Sequence, residues 1–322
     1  MKIEGKTRSW ILWALRLAGT VLFLGLILRS LDVRELYNHL KALPLWGYLA
    51  LFGLYLFNQL LTAWRWRVLL AVVGVREPLR ALTVAVLYGQ TINKILPSSI
   101  GGDSARIAYL FKNHPDQKTL TLTATLADRG LAFLALFVLG FLSLPFGVGF
   151  PARQRMAGAV LLAGLFLGLI TVYWGIWDPV IDKLRRWKRL PGGAKASLAR
   201  FWKVFLVYRA QKRALLGALG ISLLRQGLMI LNLFFLFQLL DIPVGLGKLM
   251  VVIPLVTILV ILPISIGGVG VREAALASFL GVSGESVLSF TLIRYSFIVL
   301  VPVILLADTL VFSPRRRRES GS

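Results

Sequence analysis

Long apolar stretches without strict alternation dominate the chain, and polar or basic residues gather between them. Stretches 10–28, 45–64, 120–146, 156–177, 214–240 and 287–312 are each long enough to cross a hydrocarbon core of about 30 Å as a helix. The strands of a membrane barrel would alternate lipid-facing and lumen-facing residues, and these runs of leucine, glycine, alanine and aromatics do not. Two further apolar segments, 79–112 and 246–281, are interrupted near their middles. In the first, an arm 79–96 stops at the break and a shorter helical arm 104–111 follows. The run 10–28 lacks a small-x-small site before Arg29, so it reads as a retained anchor rather than a cleaved signal.

The two interruptions share a sequence. Ile95-Leu96-Pro97-Ser98-Ser99-Ile100-Gly101-Gly102-Asp103-Ser104-Ala105-Arg106 recurs 166 positions later as Ile261-Leu262-Pro263-Ile264-Ser265-Ile266-Gly267-Gly268-Val269-Gly270-Val271-Arg272. Proline halts a helix, paired glycines free the backbone, and the arginine falls about one turn into the helix that starts next. Ala108 and Leu110 then answer Ala274 and Leu276. Duplication of an ancestral unit accounts for this, and it predicts one membrane domain in two halves, 1–150 and 151–314. A basic linker, 178–213, joins them, with Pro191-Gly192-Gly193 as a turn inside it.

Composition agrees with the pattern: 57% of residues are hydrophobic and mean hydropathy is +0.77, above the usual share in soluble domains. The formal charge of +23 raises nucleic acid as a partner, but Lys and Arg cluster in tracts beside the apolar runs. That placement serves orientation and attraction to anionic headgroups, and no separate basic domain exists for nucleic acid. Cysteine is absent, which removes disulfides and thiolate chemistry. His39 and His114 stand alone, so no metal or other cofactor is expected.

Basic tracts also decide topology. If each interrupted segment crossed once, the tracts 65–80 and 183–213 would face opposite sides of the membrane. If each enters and returns, the N-terminus, 65–80, 112–118, 183–213 and Arg315 to Arg318 all face the cytoplasm. The expected fold is therefore an all-α integral membrane protein with six full transmembrane helices and two re-entrant helical hairpins. The first hairpin enters from the cytoplasm and the second from outside. Such inverted repeats place broken helices at a mid-membrane substrate site in transporters. The arm 79–96 would measure about 27 Å as a helix, nearly enough to span by itself.

The candidate chemistry is cationic. Arg106, Arg129, Arg225, Arg272 and Arg294 fall within apolar segments, where each costs about 2.5–3.5 kcal/mol at the bilayer centre. Asp103 is placed to face Arg106, Asp128 adjoins Arg129, and Glu273 adjoins Arg272, while Arg225 and Arg294 have no acidic neighbour. The balance is positive, so an anion is expected to complete it. At 100° per residue, Ser222, Arg225, Gln226, Met229 and Asn232 share one helix face, as do Tyr55, Asn58, Thr62 and Arg65. Thr121, Thr125 and Asp128 share another, and Thr291, Arg294 and Tyr295 a fourth. Glycine-freed amides at Gly101, Gly102, Gly267 and Gly268, with the arginines, suit a phosphate oxyanion. Structural readings stand beside these. Arg65 ends its span and reads as a juxtamembrane anchor. Asp128 and Arg129 also read as a structural ion pair, the glycines as close-packing positions, and Asn58, Gln90 and Asn93 as interhelical hydrogen bonds. A lipid-linked glycosyl or phosphoryl transferase would need paired carboxylates at metal-ligand spacing or a large soluble loop, and the sequence offers neither.

Asn93-x-x-Leu96-Pro97-x-x-x-Gly101-Gly102-Asp103-x-x-Arg106 and Pro263-x-Ser265-x-Gly267-Gly268-x-Gly270-Val271-Arg272-Glu273-Ala274-Ala275 resemble the motifs of the lysylphosphatidylglycerol synthase transmembrane-region family, flippase-like membrane proteins. The resemblance covers nearly the whole chain. It implies lipid translocation in a bacterial or archaeal cytoplasmic membrane, with Arg106, Arg272 and Glu273 at the motif positions that matter most. It does not imply the synthase reaction, which in that family belongs to an appended soluble domain. The expectation is a non-enzymatic lipid flippase for a phospholipid, an aminoacyl-phospholipid or a polyprenyl phosphate. Arg106, Arg129, Arg225, Arg272, Arg294, Asn93 and the four glycines form its expected substrate set, and Asp103, Asp128 and Glu273 balance charge or carry a coupling proton. A second copy of the chain and a separate lipid-modifying enzyme are compatible partners.

Overall fold

The computed structural model describes residues 33–95, 101–143, 178–186, 206–261 and 268–319, with isolated positions between 153 and 176 and at 202. The described residues form helices: α1 Val33–Ala42, α2 Leu45–Val72, α3 Leu79–Ile95, α4 Gly101–Asn113, α5 Lys118–Ser143, α6 Asp178–Arg186, α7 Lys212–Leu239, α8 Leu246–Ile261, α9 Val271–Leu280 and α10 Gly284–Glu319. A single 3-10 turn, Pro115–Gln117, joins α4 to α5. Among the described residues, four helices are long and apolar enough to cross a membrane: Leu45–Val72, Pro115–Ser143, Lys212–Leu239 and Gly284–Pro302. They carry four of the six apolar runs. The run 10–28 and the linker turn at Pro191 lie outside the described residues, and of 156–177 only isolated positions are described.

Side-chain contacts fix how these helices run. Asn232 donates to the Leu51 carbonyl at 2.9 Å, Asn58 to the Arg225 carbonyl at 2.7 Å, and Arg65 to Ser222 at 3.0 Å. Positions fall along α7 as they rise along α2, so the two are antiparallel. The Arg65–Asp128 pair and the Trp66–Thr125 hydrogen bond set α5 antiparallel to α2 as well. Tyr48 meets Ser296 at 2.7 Å, and Leu56 packs in a cluster with Val301 and Leu305, so positions on α10 rise with those on α2.

Of the three apolar clusters among the described residues, the two larger lie toward the two ends of α2. One gathers Leu51, Phe237, Leu249, Leu280, Val287 and Phe290; the other gathers Trp66, Leu70, Val75, Leu82, Leu110 and Tyr208. Large apolar side chains such as Leu49, Phe57, Leu216, Leu224 and Val299 remain on the outside, as a lipid-facing surface requires.

Each interrupted segment folds back on itself. α3 packs on α4, and α8 packs on α9. Glu77, just before α3, accepts hydrogen bonds from Tyr109 at 3.3 Å and Asn113 at 3.1 Å near the end of α4, and meets the His114 ring at 3.0 Å. Lys248, in the first turn of α8, donates to the Leu280 carbonyl that ends α9 at 2.6 Å. The first clasp lies beyond the C-terminal end of α2, and the second beside the core at its N-terminal end. The two folded-back pairs therefore close at opposite ends of the bundle. The breaks, 96–100 and 262–267, lie outside the described residues.

Several helix bounds differ from those the pattern predicts. α2 runs eight residues past Trp64, because Trp66, Leu69 and Leu70 keep its inner face buried beyond the first arginine. α4 starts at Gly101 instead of Ser104 and ends at Asn113. The segment before α2 is helical too, with α1 laid against α10.

Candidate functional site

The five arginines expected within apolar segments separate into two groups. Arg106 and Arg129 join Arg65 in a network with Asp103 and Asp128, linking α2, α4 and α5. Asp128 accepts from Arg65 Nε at 2.6 Å and from Arg106 Nη2 at 3.4 Å. Asp103 accepts from Arg129 through both oxygens, at 2.5 and 2.6 Å, and lies 3.5 Å from Arg106 Nη1. The Arg106 guanidinium also stacks 4.1 Å from the centroid of the Trp66 ring. Three cations against two carboxylates leave an excess of one, and every guanidinium in the group has an acidic partner.

These pairings depart from the sequence expectation. Asp128 binds Arg65 and Arg106, from other helices, rather than its neighbour Arg129, because consecutive residues on a helix point about 100° apart. Asp103 takes Arg129 as its main partner and Arg106 at longer range. Arg65, which the sequence suggested was a juxtamembrane anchor, is 2% exposed and paired with a carboxylate that is 1% exposed. Sequence reasoning missed its role although one signal was present: Arg65 sits on the same face of α2 as Asn58 and Thr62.

Arg225, Arg272 and Arg294 belong elsewhere. They line a cavity of about 270 Å³ between α2, α3, α7, α8, α9 and α10, together with Tyr55, Asn58, Gln59, Gln90 and Glu273. Both halves of the chain contribute to it. Among the described residues, none of the three arginines forms an ion pair. Arg225 reaches Asn58 Oδ1 only at 3.4 Å, its Nε is buried without a hydrogen-bond partner, and Arg294 lies 5.4 Å over the Phe290 ring. The Tyr55 hydroxyl and Gln59 Oε1, on the same wall, are likewise buried without partners.

Glu273 is the one carboxylate among the described lining residues, and it is already engaged. Its Oε2 accepts the Gly270 N–H at 2.7 Å and its Oε1 accepts the Thr291 hydroxyl at 3.2 Å. The first bond caps α9, whose approach through Gly268 and Gly270 takes φ values of +75° and +82° that favour glycine. Adjacency to Arg272 thus does not use up the carboxylate. Gly101 and Gly102 open α4, while Gly267 and the side chain of Asn93 lie outside the described residues. Of the polar faces expected to share an interior, those of α2, α7 and α10 meet at the cavity. That of α5 turns to the ion network instead. His114 is held by Glu77 at the clasp of the first folded-back pair, and His39 lies 3.4 Å from Ser289 Oγ.

A lipid-facing exterior, four helices of spanning length and an interior ringed by arginines define a multi-pass helical membrane protein with a cationic cavity. Residues 12–306 match the lysylphosphatidylglycerol synthase TM region, and the chain belongs to that family. It is also similar to a UPF0104 membrane protein of Methanothermobacter thermautotrophicus (strain Delta H), with 22% identity over 240 residues, 69% of this chain and 71% of that protein. No solved structure matches the chain.

Proposed function

We propose that this protein moves a phosphate-headed lipid, a phospholipid or a polyprenyl-phosphate carrier, between the leaflets of a bacterial or archaeal cytoplasmic membrane. The observation that carries this reading is the cavity where Arg225, Arg272 and Arg294 outnumber Glu273 and have no ion-pair partner among the described residues. Unpaired guanidiniums are costly away from water, and an anionic headgroup offsets that cost. Apolar walls from Leu54, Val256 and Ile298 suit the glycerol or isoprenoid end that adjoins it. Family membership supports a lipid-related role.

In this reading α3–α4 and α8–α9 are the re-entrant hairpins, opening to opposite leaflets, and 1–150 and 151–314 are the inverted halves. The clasps at Glu77 and Lys248, at opposite ends of α2, support that arrangement. Alternate loosening of the two hairpins would expose the cavity to one side and then the other. The network of Arg65, Arg106, Arg129, Asp103 and Asp128 then serves as the brace that holds the first hairpin against α2 and α5. The termini and the basic tract 178–213 face the cytoplasm, where the tract binds anionic headgroups.

Proteoliposomes with a fluorescent lipid in both leaflets, quenched from outside, measure the movement. The parent chain should give access to the inner-leaflet lipid, and Arg272→Ala and Arg225→Ala should slow it at least about tenfold, as expected when a buried charge contact of about 1.5–3 kcal/mol is lost. Equal rates in parent and folded variants, matched for elution and melting, would remove the cavity from the mechanism.

A further inference from the structure

We propose that the cavity selects a phosphate group bearing two negative charges, a phosphomonoester or a diphosphate, over singly charged phosphodiesters and over headgroups that carry an ammonium. This rests on the cavity being the headgroup site, and it names the ligand class of that site. Three guanidiniums line a cavity whose only described carboxylate is Glu273, which leaves an excess of two positive charges among the described lining residues. Away from bulk water a charge excess is screened weakly. A phosphodiester would leave one charge uncompensated, whereas a phosphomonoester, with a charge of about −1.5 to −2 at pH 7, nearly cancels the whole.

The fate of Glu273 decides against amines. A zwitterionic or aminoacylated headgroup brings an ammonium into a space that already holds three cations, and it needs an acidic partner there. Glu273 is the one carboxylate among the described lining residues, held in place by the Gly270 N–H at 2.7 Å and the Thr291 hydroxyl at 3.2 Å, and its single charge is already outnumbered by three guanidiniums. Selection by an unmet charge is as effective as selection by a good contact. The cavity measures about 270 Å³. A phosphate or diphosphate fits that space. The buried Tyr55 hydroxyl and Arg225 Nε, both without partners, add donors for its oxygens.

The test compares lipids of identical acyl chains bound to the purified full chain in detergent, read by native mass spectrometry: phosphatidic acid, its methyl ester phosphatidylmethanol, phosphatidylethanolamine and lysylphosphatidylglycerol. The methyl ester removes one charge and adds one carbon, so it isolates charge from size. Phosphatidic acid should bind at least about tenfold tighter than the methyl ester, the difference expected for one unpaired charge worth about 1.4 kcal/mol or more. Arg225→Gln, checked for an unchanged elution profile, should shrink that ratio toward one. Equal affinity for the acid and its ester, or preference for either amine-bearing lipid, overturns the proposal. Glycerol 3-phosphate and inorganic phosphate form the second arm. Competition by them at comparable concentrations supports the charge class while showing that the ligand need not be a lipid. If the binding order holds but proteoliposomes move no lipid, the translocase reading fails and the charge selection stands.

Discussion

Asp128 holds two guanidiniums at once, Arg65 at 2.6 Å and Arg106 at 3.4 Å, in surroundings where the carboxylate is 1% exposed. Removing one partner of such a buried pair costs about 3–5 kcal/mol, because the remaining charges lose their compensation. Asp128→Asn keeps the shape and deletes the charge, so its loss of melting temperature in detergent should approach that of unfolding variants. Asp103→Asn should cost less, since its main partner Arg129 is 41% exposed and retains other solvation. The opposite ranking would mean that the brace is centred on Asp103. At this scale the sequence disclosed which residues carry charge into the apolar segments but not whom they meet. Asp128 and Arg129 are adjacent in the chain and point apart on α5, whereas Asp128 and Arg65 are 63 positions apart and touch. Arg65 was obscured by its setting, because Arg65-Trp66-Arg67 looks like the end of a span. Only the burial of Trp66, Leu69 and Leu70 shows the helix continuing inside the protein.

Among the helices, the breaks were legible because proline and paired glycine have few other uses between apolar runs. The return of each arm to its own starting end was argued from charge placement, and the clasps that bring the arm ends together were not visible. Glu77 accepts from Tyr109 and Asn113 and meets His114, and nothing in the spacing of those residues announces it. Glu77→Ala should free the end of α4, so hydrogen exchange should rise across 109–117 and stay unchanged across 271–280. Lys248→Ala should do the reverse. A uniform rise in both regions for either variant would show that the clasps report on the bundle as a whole. The turn into α9 carries a sharper constraint. Gly268 has φ +75°, and a β-carbon there would strike the Val260 side chain. Gly268→Ala should therefore lose about 1–3 kcal/mol from backbone strain alone, with a further steric loss that Val260→Ala restores. Full rescue by Val260→Ala in the double variant would mean that the left-handed backbone costs nothing here.

For the molecule as a whole, the membrane class was readable from runs of apolar residues, and one repeated motif is the sequence argument for a doubling. The division of five arginines between a carboxylate-paired brace and an open cavity needed the packing of α2 against α7. The opposed clasps also allow a topological test, for which the chain is already suited because it contains no cysteine. Arg76 and Lys112 are exposed at the clasp of the first folded-back pair, and Pro243 is exposed just before α8 at the clasp of the second. In intact cells a membrane-impermeant maleimide added outside should label Pro243→Cys and leave Arg76→Cys and Lys112→Cys unmodified until the cells are broken. Positive charge supports that direction, since Arg76, Arg80, Lys112 and Lys118 crowd the first clasp while Lys248 is the one basic residue near the second between 240 and 260. Two pairs with duplicated motifs can present the same arginine turn to opposite leaflets only if their open ends face apart. Labelling of all three positions from one side would leave both pairs opening to the same face, and the proposed lipid movement would lose the alternating access it requires.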